Sequence, residues 1–168
     1  QRIQAGAEND SLIGNVDIAA SLIEVAGGSA PADMVQDGRS FTSQLFGQPE
    51  PKNWRTHMLI EAGNSRAIVT RDWKYVANRV PPEVEAKMKA RPGEVFWTGV
   101  DHHNYQTEEM YPAYWDADQL YDLSKDLYEQ QNLAENPEYR EQLKRMQQRL
   151  EGVISDLPHT FGEFGSSQ

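Results

Sequence analysis

The 168-residue chain contains no cysteine, so disulfide bonds, thiolate nucleophiles and cysteine-based zinc sites are excluded. It also lacks any apolar run approaching the ~20 residues that a membrane-spanning helix needs. No signal peptide is visible, and the chain begins at Gln1 without an initiator methionine. From this start we expect a trimmed or partial product, and we expect no membrane partner.

Positive charge is scarce relative to negative charge. The chain has 16 Lys and Arg residues against 26 Asp and Glu residues, a formal net charge of -10. A general nucleic-acid binder needs a basic face that displaces counterions from phosphates, so the composition argues against nucleic acid as a partner. An anionic substrate would need a local basic patch that works against the overall field.

Residues 15–26 are predicted to form a helix. Asn15 is its predicted cap, and Gly27 and Gly28 are predicted to end it. Apolar residues cover most of its circumference, and such a helix is normally buried between other elements. Because this short chain offers few partners for it, the pattern indicates that a larger body is missing. A second, short helix is predicted to end at Phe46, with Gly47 as its stop and a proline-containing linker after it.

Four short runs predict strands, at residues 57–62, 66–70, 73–78 and 119–123. The last helix is predicted to begin at Asn136 and Pro137, because Asn is a common cap and Pro suits the first turn. One apolar stripe follows its length: Tyr139, Leu143, Met146, Leu150, Val153 and Leu157. The fold class predicted is α/β, with an α+β arrangement inside the chain: a small antiparallel sheet of about four strands covered by the C-terminal helix.

Four segments, taken in order, resemble the formylglycine-dependent sulfatases of the alkaline phosphatase-like superfamily. The closing segment, residues 121–134, carries Tyr-Asp-Leu, an acidic turn and Asn-Leu-Ala. Residues 13–27 look like the family's Asn-Val-Asp-Ile helix, residues 37–47 like its Asp-Gly-x-Ser step and residues 66–78 like its hairpin. The resemblance implies that residues 1–47 end a larger catalytic α/β domain. It also implies that residues 48–168 form a C-terminal subdomain with a long insertion at 80–118.

The resemblance further implies chemistry that lies upstream of this chain. The family forms its formylglycine nucleophile within Cys/Ser-x-Pro-x-Arg and holds calcium among upstream acidic residues. The nearest approach here is residues 29–33, Ser-Ala-Pro-Ala-Asp, which has Asp where the family has Arg. We therefore expect no catalytic residue, metal ligand or bound cofactor in this chain, which alone should be inactive. The expected partners are the upstream catalytic domain and a sulfated carbohydrate, in a periplasmic or secreted enzyme.

Candidate substrate-binding residues fall in or beside the insertion. His102 and His103 could bond sugar hydroxyls or sulfate oxygens, while Trp97 or Tyr105 stacks on a sugar ring. Arg79 could add positive charge for a sulfated glycan, together with Arg71 and Lys74. The alternative is a polar loop whose histidines bond nearby backbone groups, beside basic residues that pair with acids.

Two other functions remain open at this point. The chain could be a non-catalytic module that binds a glycan or assembles with a partner subunit through the apolar helix at residues 16–25. It could also be the end of a related phosphonate or phosphodiester hydrolase, because those enzymes share parts of this closing segment.

Overall fold

The computed structural model describes residues 3–31, 33–90 and 111–165, apart from the side chains of Glu85, Lys87, Met88 and Lys89. The chain divides into two compact units, Gln1–Met58 and Leu59–Gln168. The domain boundary between residues 47 and 48 stays a prediction. Among the helices in the described ranges, none is long and apolar enough to cross a bilayer.

The first unit contains two helices, α1 (Val16–Val25) and α2 (Thr42–Leu45). Both end where glycine was predicted to stop them, because Gly27 (φ +75°) and Gly47 (φ +76°) adopt the left-handed conformation that favours glycine. The predicted cap is wrong, since the side chain of Asn15 makes no capping hydrogen bond. Asp17, in the first turn, accepts a hydrogen bond with its Oδ2 from the backbone N–H of Gly14, just before the helix, at 2.8 Å.

Asp17 is fully buried and joins three separate stretches of the first unit. Its carboxylate accepts from the backbone N–H of Arg39 at 2.7 Å and from both terminal nitrogens of Arg55. Ser21, one turn later, accepts from the backbone N–H of Phe41 at 3.0 Å. The Asp-Gly-Arg-Ser step therefore lies against the polar side of α1.

Gly38 is required at this contact. A Cβ atom at Gly38 would collide with the carbonyl oxygen of Val16, so no other residue fits without a backbone shift. This close approach couples the two sequence segments, 13–27 and 37–47, through backbone geometry as well as through the Asp17 carboxylate.

The apolar face of α1 is exposed within the first unit. Ile18, Leu22 and Val25 are 50%, 63% and 51% exposed. The buried residues of α1 are instead the polar Asp17 and Ser21. The residues packed against α1 bind its polar side and leave its apolar stripe uncovered. This exposure agrees with the expectation that the short chain offers few partners for the apolar residues of α1, and their burial by a larger body stays a prediction.

The second unit is built on an antiparallel sheet in the order β1-β2-β3-β4. Its strands are β1 (Met58–Ala62), β2 (Ser65–Val69), β3 (Trp73–Asn78) and β4 (Asp118–Asp122). In the register, Tyr75 of β3 lies opposite Ile68 of β2 and Leu120 of β4. The prediction of a four-stranded antiparallel sheet is confirmed.

Two helices and a 3₁₀ turn complete the second unit: α3 (Pro82–Ala90), the turn Pro137–Tyr139 and α4 (Arg140–Ile154). The predicted Asn136 cap is confirmed, since its side chain accepts from the backbone N–H of Glu138 at 3.0 Å. α4 covers the sheet, and together they bury one apolar core: Ile68, Tyr75, Ala77, Leu120, Met146, Leu150 and Ile154. The helix ends at Ile154, so Leu157, the last residue of the predicted stripe, lies beyond the helix. Ile154, which the predicted stripe did not include, is buried in the core.

Candidate functional site

The candidate region begins where β3 ends and closes where β4 begins. Ala77 pairs with Asp118 across the sheet, and the backbone N–H of Asn78 donates to the carbonyl of Ala117 at 2.8 Å. The side chain of Asn78 also donates to the carbonyl of Tyr114 at 3.2 Å. The two ends of residues 80–118, the segment predicted to be an insertion, are therefore held side by side at one end of the sheet.

Arg79 is the first residue after β3, and its side chain joins three segments. Its Nε donates to Glu163 at 2.9 Å, and one terminal nitrogen donates to both Glu163 and Asp118. The other terminal nitrogen donates to the carbonyls of Asn78 and Ala117. A guanidinium has five N–H groups, so acceptors within this chain engage the whole donor set.

The charges in this cluster favour the paired state. The Arg79 hydrogen bond to Glu163 raises the pKa of Arg79 above its usual value, and the same contact lowers the pKa of Glu163. Burial, followed by the hydrogen bond to Asp118, raises the pKa of Tyr75, whose hydroxyl donates to that carboxylate. Two carboxylates surround one guanidinium, so the cluster carries net negative charge and offers little attraction to a sulfate.

The C-terminal turn packs on the same cluster. The backbone groups of Phe161 and Phe164 pair with each other, each N–H donating to the other carbonyl at 2.9 Å. The guanidinium of Arg79 lies 5.5 Å from the ring centre of Phe164, a cation–π contact. Phe164 is buried in the core and meets the ring of Tyr75 edge-on at 6.5 Å.

Of the other predicted site residues, some lie outside the described ranges and others pair with acids. Trp97, His102, His103 and Tyr105 lie outside the described residues, so their substrate contacts stay predictions. Lys74 pairs with Glu129 through two contacts of 2.7 and 2.8 Å. Lys74 and Arg79 thus both pair with acids, the alternative that the sequence left open, and a substrate contact by Arg79 also stays a prediction.

The closing segment that carries the family resemblance has a structural role in this unit. The Asn132 side-chain oxygen accepts from the backbone N–H groups of Leu120 at 2.9 Å and Ala134 at 3.0 Å. Its amide nitrogen donates to the side chain of Asp116 and the carbonyl of Asp118. Asn132 therefore fixes the open edge of β4, including its first residues, against the chain that leads into α4.

Sequence reasoning missed the specific ion-pair partners in both units. Glu163 lies 84 residues from Arg79, and Arg55 lies 38 residues from Asp17. Spacing cannot reveal such pairs, because ion pairs between distant segments depend on how the chain folds back. A local signal existed only for Asp17, which is an acid inside an otherwise apolar helix.

Within the described ranges, no three His, Cys, Asp or Glu residues come together to hold a metal.

Comparison with known proteins supports this architecture. The ulvan-active sulfatase of Formosa agariphila is 35% identical over 148 residues, which cover 82% of this chain and 28% of that protein. A protein solved in complex with its substrate D-glucosamine-2-N,6-O-disulfate matches with a TM-score of 0.58 and 21% identity, over 90% of this chain and 26% of that one. A 2-O GAG sulfatase matches with a TM-score of 0.50 and 20% identity, over 82% and 24% of the two chains. No protein-family model matches the chain.

The sheet with its covering helix is similar in fold to part of each of these two solved structures. The chain belongs to the sulfatases. The matched segment spans about a quarter of the length of these relatives.

Proposed function

We propose that this chain is the C-terminal part of an enzyme that hydrolyses sulfate esters of a sulfated carbohydrate. In this proposal, the catalytic centre lies in the enzyme upstream of the chain, and the chain completes the fold and contributes substrate contacts. The proposal extends the family membership to an activity, and three features of the molecule support it.

The main support for the proposal is the exposed apolar surface of the first unit. Ile18, Leu22 and Val25 present an exposed apolar stripe on one face of α1. Burying a leucine or valine is worth about 1.5–3 kcal/mol, so a face of this kind favours a covering partner. Gln44 adds a second sign, because its Nε2 is buried without a hydrogen-bond acceptor among the residues described. A catalytic domain that packs on this unit would cover the stripe and could supply the acceptor.

The chemistry available in the chain also favours an upstream centre. Formylglycine and calcium are the groups that the family uses, and the described residues do not fit either. The chain contains no cysteine, and its nearest serine motif, at residues 29–33, has Asp where the family has Arg. The described residues also include no acid or histidine cluster of metal-binding size. Arg55, Lys74 and Arg79 form ion pairs with carboxylates of this chain, so these cations contribute to the fold. We derive no reaction step from this chain alone.

A sulfated carbohydrate is the substrate class that fits best. The name of the relative describes activity on ulvan, and the matching solved structure holds a disulfated glucosamine. Trp97, His102, His103 and Tyr105 combine hydrogen-bonding and stacking groups in the one long insertion, and loops on rigid scaffolds often carry binding. We therefore assign these four residues to substrate contact within the proposal.

The test is sulfate release by the complete parent enzyme from sulfated mono- and polysaccharides, measured by ion chromatography. We expect release from at least one carbohydrate, and a loss of about thirtyfold in kcat/KM when His102 and His103 are both changed to alanine, since each lost hydrogen bond costs about 1 kcal/mol and the two together cost about 2 kcal/mol. His159→Ala is the control, because His159 is exposed near the C-terminus. Release of phosphate or phosphonate products instead of sulfate would replace the proposed ester. Unchanged kinetics of the double variant would remove the two histidines from the site.

The exposed α1 stripe also favours a second function, a non-catalytic assembly or glycan-binding module. The isolated chain distinguishes the two. Saturable binding of a sulfated oligosaccharide by the isolated chain, together with a monodisperse folded state, would favour the module. Absence of binding, with association through the apolar stripe, would favour a part that needs its catalytic body.

A further inference from the structure

We propose that Arg79 is a positioning residue, which clasps the base of the 80–118 insertion to the C-terminal turn and so sets the substrate preference of the enzyme. The proposal rests on the proposed function, because it concerns how substrate selection is controlled. It differs from the expectation raised by the sequence in one respect. Arg79 acts through the segments that it joins, without donating a hydrogen bond of its own to sulfate.

The hydrogen-bonding capacity of the Arg79 guanidinium is filled by groups within this chain. All five N–H groups of the guanidinium are engaged by Glu163, Asp118 and two backbone carbonyls. The two carboxylates exceed its charge by one. A sulfate would have to displace at least one charge-assisted hydrogen bond, each of which contributes about 1.5–3 kcal/mol, and would approach a cluster of its own sign.

The contacts of Arg79 lie at both ends of the 80–118 insertion. One terminal nitrogen reaches the carbonyl of Ala117, and the other reaches Asp118, so both last residues of the insertion are held. Arg79 itself stands at the first residue before the insertion. A single side chain therefore fixes the distance between the two ends of the insertion, beyond the sheet hydrogen bond from Asn78 to Ala117.

The C-terminal turn also holds the Arg79 side chain. Glu163 holds two nitrogens of Arg79, and Phe164 lies against the guanidinium. Gly162 lies so close that a Cβ atom there would stand 3.0 Å from the Cγ of Arg79. Its φ of +57° also favours glycine. The turn thus encloses the side chain on a second side and limits its rotation.

The measurement compares two matched variants in the parent enzyme, one just after the end of β3 and one near its start. Arg79→Gln removes the clasp at one end of the strand. Lys74→Gln removes the ion pair to Glu129 at the other end and leaves the insertion contacts intact. Each variant is assayed with a sulfated tetrasaccharide prepared from ulvan and with 4-nitrophenyl sulfate, a small ester that needs no extended subsites. Amide hydrogen exchange is followed over residues 111–118 and over α4.

We expect Arg79→Gln to speed exchange at residues 111–118 about tenfold and to lower kcat/KM for the tetrasaccharide by a similar factor, mainly through KM. The rate on 4-nitrophenyl sulfate and exchange in α4 should change less than about twofold, as in Lys74→Gln. Glu163→Gln, at an exposed position, should shift the same two readouts in the same direction but less, since the amide oxygen can still accept one hydrogen bond. Arg79→Lys should recover part of the loss, because it keeps the charge without the fork.

Three results would overturn the proposal. Equal losses on both substrates would show general damage to the enzyme, and unchanged exchange at residues 111–118 would show that there is no clasp. A tetrasaccharide kcat/KM unaffected by both Arg79→Gln and Glu163→Gln would remove the role in specificity. A parent enzyme that releases sulfate from neither substrate would instead contradict the proposed function, while the exchange experiment would still decide whether the clasp exists.

Discussion

The two units are stabilised in opposite ways. In the second unit, the fully buried side chains include Tyr75, Leu120 and Leu150, which form one apolar core between the sheet and α4. In the first unit, the fully buried side chain in α1 is the carboxylate of Asp17, while Leu22 on the other face is 63% exposed. The difference indicates that the second unit has the core of a domain and that the first has a polar junction whose apolar side lacks a partner within the unit.

The energetic terms in the two units differ accordingly. A buried carboxylate costs several kcal/mol in lost hydration, which is offset only when its partners are well placed. Asp17 meets that condition through Arg55 and the backbone N–H groups of Gly14 and Arg39. Apolar burial is less directional and tolerates small shifts. Loss of one partner should therefore be more damaging in the first unit than loss of one methyl group in the second.

The largest effect is expected from Asp17→Asn, which leaves Arg55 buried without its counter-charge. Breaking a buried pair of this kind costs about 3–5 kcal/mol. Hydrogen exchange of the α1 amides should accelerate strongly, while exchange in α4 stays as in the unaltered chain. Asp37→Asn makes the same chemical change at an exposed site and should have little effect. Equal exchange in the two variants would mean that the carboxylate does not organise the first unit.

A smaller but global effect is expected from Leu150→Ala in the second unit. Leu150 has no exposed surface, so its truncation leaves a cavity that costs about 2–5 kcal/mol. The free energy of unfolding from urea titration would measure it. Leu127→Ala truncates a leucine that is 72% exposed in the same unit and should change that free energy by less than about 0.5 kcal/mol. Similar losses for both leucines would contradict the position of the core.

Acid should weaken the first unit through Asp17. Burial alone would raise the pKa of Asp17, but hydrogen bonds from Arg55, Gly14 and Arg39 outweigh it and lower the pKa below its usual value. A lowered folded pKa means that the stabilisation is present above the ordinary aspartate pKa of about 3.9 and is lost as pH falls through the folded pKa. Protection of the α1 amides should therefore fall below about pH 4. A profile that is flat down to about pH 2 would contradict this account.

Much of the second unit follows from local sequence, and the first unit shows why local sequence is not enough. The alternation of Trp73, Tyr75 and Ala77 predicts β3, and Asn136 with Pro137 predicts where the final helical segment starts. Those signals act within a few residues. The side of α1 that is buried within the first unit depends on Arg55, 38 residues from Asp17, and on the missing Cβ of Gly38, and an apolar pattern reveals neither contact.

The candidate site was still less accessible to sequence reasoning. From charge alone, Arg79 could either contribute to a basic patch or pair with acids. Its pairing with Asp118 and Glu163 emerges only when the insertion and the C-terminal turn return to one end of the sheet. The chain contains 26 acidic residues, so sequence offers many possible partners and no rule for choosing between them.

The central claim is that the exposed face of α1 is covered by the upstream part of the parent enzyme, and Leu22→Ala tests it most directly. The free energy of unfolding would be measured for this variant in the isolated chain and in the parent enzyme. The account predicts a loss below about 0.5 kcal/mol in the chain and of about 2–5 kcal/mol in the parent, because Leu22 would be buried only there. A loss below about 0.5 kcal/mol in both proteins would contradict it.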